Sequence, residues 1–322
     1  MSAKIETGAE KKYSRSLFYR RYGIGFIMIG MAILLSLTTK FLSANNILNV
    51  MSTISINGAL ALGMVFVITA GGIDLSIGSM LAWGSVVIGL ILENTGSIPL
   101  AIGTAIVTCA LYGLINGWLI ARFSLFPFVA TLATQLVIRG LATALAGGYS
   151  FPIAVPEFTE IGLGKLFGTI PYPAIILLCM IIIAFILMHW TKFGRYVYAV
   201  GGNRLAAEAA GVNVFWTSIH TYTISGFCAG VASILITAKI NACQPNIGIG
   251  YETDAIAACV IGGTSFSGGI ATIPGTAMGI VIIGLIYNGM NLIGVESYWQ
   301  TVCKGALIVG AVMLDRFINK KR

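Results

Sequence analysis

The chain has 322 residues, of which 57% are apolar and only 9% charged. An ordinary soluble domain carries about 25% charge, so this composition excludes a soluble globular enzyme, and its apolar content excludes disorder. The formal charge of +8 is gathered mainly at the two ends and speaks for membrane topology; no nucleic-acid partner is expected.

The expected fold is an all-α integral membrane protein. A crossing needs about 20 mainly apolar residues, so about ten helices fit, with only short loops between them. The basic tail 1–22 holds Lys4, Lys11, Lys12, Arg15, Arg20 and Arg21, and the tail 315–322 holds Arg316, Lys320, Lys321 and Arg322. Positive flanks stay on the cytoplasmic side. Both termini are therefore expected there, with an even number of crossings in a single transmembrane domain, 23–314.

In chain order the apolar runs fall at about 23–39, 47–70, 76–92, 98–120, 125–146, 171–190, 214–238, 252–262, 271–292 and 298–314. The first follows a basic segment but lacks a small-x-small cleavage site before Lys40, so it reads as a retained helix. The eighth is too short to span alone. It needs the preceding loop, or it is a half-helix buried among its neighbours. The count is therefore 8–10, with short or broken helices.

Two connections carry most of the loop charge. Residues 147–170 hold Glu157, Glu160 and Lys165 beside Pro152, Pro156 and Pro171, and are expected outside. Residues 191–213 hold Lys192, Arg195 and Arg204 against Glu208 alone, and are expected inside. Within the latter, Asn203 is a plausible N-cap, Arg204 to Ala210 a two-turn helix and Gly211 its left-handed stop. A helix so short is marginal alone, so neighbouring helices or a docked partner must hold it.

An internal echo links two helix breaks. Gly71-Gly72-Ile73-Asp74-Leu75-Ser76-Ile77-Gly78 and Gly262-Gly263-Thr264-Ser265-Phe266-Ser267-Gly268-Gly269 both fit Gly-Gly-x-x-x-Ser-x-Gly. Gly-interrupted helices at matching positions of a repeat point to a transport pathway; a count of ten makes the copies parallel, and a count that differs by one crossing between them makes them inverted. Gly71, Gly72, Asp74, Ser76, Gly262, Gly263 and Ser267 are the candidate break and gating residues. Asp74 reads as an N-cap for the following helix; the alternative is an ion or proton site.

Asn116, Gln135, Arg139, Asn288 and Asn291 interrupt apolar runs. They suit a pathway for hydroxylated solutes and equally suit interhelical hydrogen bonds. Gly113-x3-Gly117, Gly226-x3-Gly230 and Gly275-x3-Gly279 permit close helix approach, within one subunit rather than at a dimer seam. His189 and His220 flank the inner loop as interfacial groups. The six cysteines are scattered and show no metal-ligand spacing. No residue is assigned a catalytic or metal-binding role, and no cofactor is expected on this chain. No Gly-x4-Gly-Lys-Ser/Thr loop occurs, so any ATP must be hydrolysed by another subunit.

Three ordered motifs resemble the membrane permeases of bacterial ABC-type monosaccharide importers, the ribose and galactose branch. They are Val67 to Ser79, Gly194 to Val214, and Gly250 to Ser265, within a match from about Leu42 to Asp315. The family usually has Glu-Leu-Asp where this chain has Glu252-Thr253-Asp254, and often a polar residue or Gly at Ile270-Ala271. The resemblance implies a second permease subunit, identical or different, membrane lipid around the bundle, and a cytoplasmic double-cassette ATPase that binds ATP and Mg²⁺. It also implies a periplasmic or lipoprotein sugar-binding protein, with 147–170 and 239–254 as its periplasmic contacts. It places coupling to the ATPase in 191–213, at Gly201, Gly202, Asn203, Arg204, Ala206, Ala207 and Gly211, and the protein in the bacterial inner membrane. The alternatives are import of a polyol, nucleoside or signalling furanose, and, in another class, an ion-coupled secondary transporter.

Overall fold

The computed structural model describes residues 41–319 together with 28–30, 33 and 36. The tail 1–22, most of the run 23–39 and residues 320–322 lie outside the described residues, and with them most of the terminal charges. The helices, in chain order, are α1 (Ala44–Thr69), α2 (Ile77–Thr95), α3 (Ile98–Phe123), α4 (Pro127–Leu145), the short α5 (Glu160–Leu163) and α6 (Tyr172–Trp190). There follow α7 (Lys192–Gly202), α8 (Arg204–Ala209), α9 (Val214–Ile240), α10 (Tyr251–Ile261), α11 (Ile273–Leu292) and α12 (Ser297–Asn319).

Seven of the described helices, α1 to α4, α6, α9 and α11, are long and apolar enough to cross a bilayer. The other three of the ten expected runs are not among these seven. The run 23–39 lies mostly outside the described residues, α10 has only 11 residues, and α12 carries Lys304 in its middle. The half-helix reading of 252–262 is the one the structure adopts.

Local sequence sets most helix starts. α3, α4, α6 and α11 each carry Pro in the first turn, where a missing N–H removes no helical bond. The Ser43 hydroxyl accepts from Asn46 N–H at 3.3 Å and the Thr272 hydroxyl from Gly275 N–H at 3.1 Å, which caps α1 and α11.

The core forms where α1, α2, α9 and α11 meet, around buried Leu60, Met64, Phe66, Met80 and Leu235. Lipid gives apolar helices no hydrophobic reason to associate, so small residues that allow close backbone contact decide the pairing. Gly113 and Gly117 of α3 lie against the backbone of Tyr222, Gly226 and Ile219 in α9, and Gly226 and Gly230 return the contact onto Cys109 and Ile106. Gly275 and Gly279 lie against Gly262 and Ala258 at the end of α10. All three small-residue motifs therefore serve packing inside this subunit. The opposite faces of α3, α4 and α6 expose Leu111, Trp118, Phe128, Leu136, Leu178 and Ile182.

The segments 147–170 and 191–213 lie at opposite ends of α6. The first is an ordered cap: β1 (Phe151–Pro152) pairs antiparallel with β4 (Ala242–Cys243), and β2 (Lys165–Leu166) pairs with β3 (Ile170–Pro171). Phe158 is wholly buried beneath it.

The segment 239–254, expected as a periplasmic loop, is helical at both of its ends. Lys239 still belongs to α9, while Glu252 and Asp254 are buried in the first turn of α10. Between them the chain runs back along α2: Gln244 N–H donates to Ser85 Oγ at 3.4 Å, and Gly248 lies against Gly78. Such irregular backbone is tolerated at depth because it is buried in protein.

Candidate functional site

The two helix breaks converge. At the first, Gly71 N–H donates to Ile68 O and Gly72 N–H to Val67 O, both at 2.9 Å. At the second, Gly263 N–H donates to Val260 O at 2.9 Å and Thr264 N–H to Cys259 O at 3.0 Å. These are the same helix-ending motif, each turning on a left-handed glycine, Gly71 at φ 84° and Gly263 at φ 88°. The structural register is therefore one residue off the sequence echo: Gly71 matches Gly263, and Gly262 is an ordinary helical cap matching Ala70. Ser76 and Ser267, paired by the echo, also differ, since Ser76 is buried and Ser267 exposed. α1 and α10 both lead into this junction, and α2 and α11 lead away from it.

The third member of the junction is the end of α7. Gly201 lies against the carbonyl of Thr69 and the N–H of Gly269, while Gly268 lies against Gly71 and Gly201. Gly269 N–H donates to Thr69 O at 2.9 Å, and Tyr198 Oη donates to Ala271 O at 2.8 Å. The segment 191–213 is thus joined through backbone to both breaks.

That segment contains two helices rather than one. α7 is capped by Thr191, whose hydroxyl accepts from Gly194 N–H at 3.2 Å. Its signal in the sequence is a capping Thr before an amphipathic run. In α8, Asn203 Oδ1 accepts from Ala206 N–H at 3.0 Å, and Gly211 adopts φ 83°. Val200, Ala207, Val212 and Val214 pack together and hold the short helix in place. Ala207 therefore faces its own subunit and is no free contact for a partner, whereas Gly202, Asn203, Arg204, Ala206 and Gly211 are exposed. Leu205, absent from the sequence-derived set, is 78% exposed on α8.

Asp74 sits deep in the bundle at 0% exposure. Its Oδ1 accepts from Ser76 N–H at 3.0 Å and Ser76 Oγ at 2.6 Å, and its Oδ2 accepts from Ser225 Oγ of α9 at 2.8 Å. Asn116 Nδ2 of α3 donates to Ser76 Oγ at 2.8 Å. Asp74 is thus not the cap of α2, because Leu75 and Ser76 still form a turn and the helix begins at Ile77. It ties the break to α9. Thr131 of α4 secures the same segment, accepting from Leu75 N–H at 3.2 Å and donating to Ile73 O at 3.3 Å. Gly72 leaves room for the Tyr222 hydroxyl.

The remaining polar residues scatter. Asn116 is wholly buried and acts as an interhelical tie. Asn288 and Asn46 exchange amide hydrogen bonds at 2.7 and 3.1 Å, and Asn291 Oδ1 accepts from Gln300 Nε2 at 2.8 Å. Gln135 is half-buried on α4. Arg139, one turn further on, donates through Nη1 to Pro245 O at 2.9 Å and Ile247 O at 2.6 Å, holding the segment that returns along α2.

Sequence reasoning did not single out an ion pair between buried Asp254 and half-buried Lys304. Lys304 Nζ of α12 donates to Asp254 Oδ2 at 2.8 Å, and Tyr287 Oη of α11 donates to Asp254 Oδ1 at 2.6 Å. The signal available was a lone Lys inside the last apolar run, which in a bundle needs an acidic partner.

A family profile described as branched-chain amino acid transport system / permease component matches residues 46–312. The chain is 42% identical over 290 residues to the ribose import permease protein RbsC of Bacillus subtilis (strain 168), covering 87% of each chain. It is 36% identical over 300 residues to RbsC of Escherichia coli (strain K12), covering 92% of each. It is 37% identical over 325 residues to the D-allose transport system permease protein AlsC of the same strain, covering 98% of each. No solved structure gives a significant match.

Proposed function

The chain belongs to the family described as branched-chain amino acid transport system permease components, and from that premise we propose that it is the membrane permease of an ATP-driven monosaccharide importer. Relatives whose names specify ribose, D-allose and L-arabinose transport support a ribose-like sugar over an amino acid. In this reading the protein lies in the inner membrane, pairs with a second permease subunit and makes no covalent change to its solute. A sugar-binding protein delivers the solute to the end capped by 147–170. A double-cassette ATPase holds ATP and Mg²⁺ and docks at α8, at the opposite end.

The observation that carries the mechanism is the junction of Thr69, Gly201 and Gly269. A push on α8 passes through α7 to backbone that belongs to both helix breaks, without a flexible linker between. ATP and the loaded receptor then bias the bundle toward different states, because each binds one state better than the other.

Reconstitution with the ATPase and the receptor tests this. ATP-dependent uptake of labelled ribose, allose or arabinose is expected. Uptake by this chain alone, driven by an ion gradient and indifferent to ATP, would make it a secondary transporter instead.

A further inference from the structure

Buried polar atoms in native proteins nearly always have a partner. Among the described residues seven buried side-chain atoms lack one, and four of these belong to a single region: Ser79 Oγ, Trp83 Nε1, Arg139 Nη2 and Glu252 Oε2. Ser79 and Trp83 stand one turn apart on α2, which packs on both α4 and α10. Glu252 Oε2 lies against Gly78, next to Ser79, and the Gly248 carbonyl touches Gly78 from the same side. Arg139 of α4 is pinned to the carbonyls of Pro245 and Ile247, just before Gly248. Its Nη2 and Glu252 Oε2 both lack a hydrogen-bond partner, so the two do not pair with each other.

We propose that this junction of α2, α4 and α10 is the solute station of the permease, and that it binds a neutral, hydroxyl-rich molecule. The proposal rests on the transport reading above and adds the residues that meet the sugar. The chemistry of the free atoms selects the guest. A guanidinium and an indole N–H donate, a carboxylate oxygen accepts, and a serine hydroxyl does either. Vicinal hydroxyls both donate and accept, so they satisfy all four. The one positive and one negative side chain cancel, which favours a neutral solute over an ion. Trp83 also offers an apolar face, held edge-on to Tyr112 of α3 at 5.3 Å between ring centroids. Gln135, one turn before Arg139, supplies a further amide. In this conformation the station is closed, and α2 and α4 must part to admit the solute.

The test uses the complete transporter in proteoliposomes, with receptor and ATPase, and three substitutions: Ser79→Ala, Trp83→Phe and Glu252→Gln. All three keep most of the packing; Ser79→Ala and Trp83→Phe each remove one free polar atom, and Glu252→Gln turns a free acceptor into a donor. The expected result is a loss of ribose uptake of about tenfold per variant. Receptor-stimulated ATP hydrolysis and thermal stability should stay at wild-type level. The preference for ribose over 2-deoxyribose should shrink. Uptake and ATP hydrolysis falling together with stability, or an unchanged sugar preference, would mean that the atoms hold only structural water and would overturn the station. Should Glu252→Gln fail to insert, Ser79→Ala decides alone. A wild-type complex without ATP-driven uptake of any monosaccharide would instead remove the transport reading, and the station with it.

Discussion

The backbone N–H of Gly269 donates to the carbonyl of Thr69 at 2.9 Å, across two segments 200 positions apart in the chain. The bond ties the last turn of α1 to the loop between α10 and α11, and Gly201 of α7 is wedged against both of its atoms. A β-carbon at position 201 has nowhere to go. Gly201→Val is therefore expected to destabilise the protein by about 1–3 kcal/mol through overpacking and to uncouple ATP hydrolysis from uptake. Gly202→Ala, one residue on, meets open space and should leave both intact. Thermal unfolding in detergent and coupled uptake measured side by side check the contrast.

The exposed and buried faces of α8 make opposite predictions. Ala206 is exposed and Ala207 buried against Val200 and Val214. Ala206→Arg and Leu205→Glu should insert and melt like the wild type but lose stimulation of a co-purified ATPase. Ala207→Arg should fail earlier, as lost expression, because a charge would enter an apolar contact. If Ala206→Arg remains fully coupled, α8 is not where the ATPase docks.

Asp74 accepts three hydrogen bonds, two from Ser76 and one from Ser225. Asp74→Leu should leave the hydroxyls of Ser76 and Ser225 without their acceptor, at a cost of about 1–3 kcal/mol for each. Asp74→Asn keeps one acceptor oxygen and should be milder. Dissipating the proton gradient should not change ATP-driven uptake in the wild type. Uptake that follows the gradient and disappears in Asp74→Asn would revive the proton-site reading.

The Asp254–Lys304 pair yields the fourth expectation. Lys304→Met leaves a buried carboxylate without its counter-charge, with about 3 kcal/mol lost. Adding Asp254→Asn should recover much of that, since removing both charges is far less harmful than removing one. Thermal unfolding of the two single variants and the double variant measures this coupling.

Much of this architecture was legible in the residues. Apolar runs of sufficient length mark spans, because lipid cannot satisfy exposed backbone. Prolines and capping residues mark helix starts, and the Asn203 and Gly211 signals placed α8 within one residue of its observed end. These are local effects, decided within a turn or two of chain.

Position across the fold was not legible. Two copies of Gly-Gly-x-x-x-Ser-x-Gly look equivalent in sequence, but only backbone torsion decided that Gly71 matches Gly263. Asp74 sits where a cap is common, yet its carboxylate turned to Ser225, 151 positions away. Asn116 suits a pathway or an interhelical tie in sequence, and its amide turned to Ser76, 40 positions away. In each case one polar group had several chemically adequate partners, and only packing chose among them. By itself the sequence determined a lipid-embedded helix bundle with broken helices and little catalytic chemistry. The tertiary structure alone decided that both breaks and the α7–α8 unit share one junction, because close glycine contacts between distant segments leave no periodic trace along the chain.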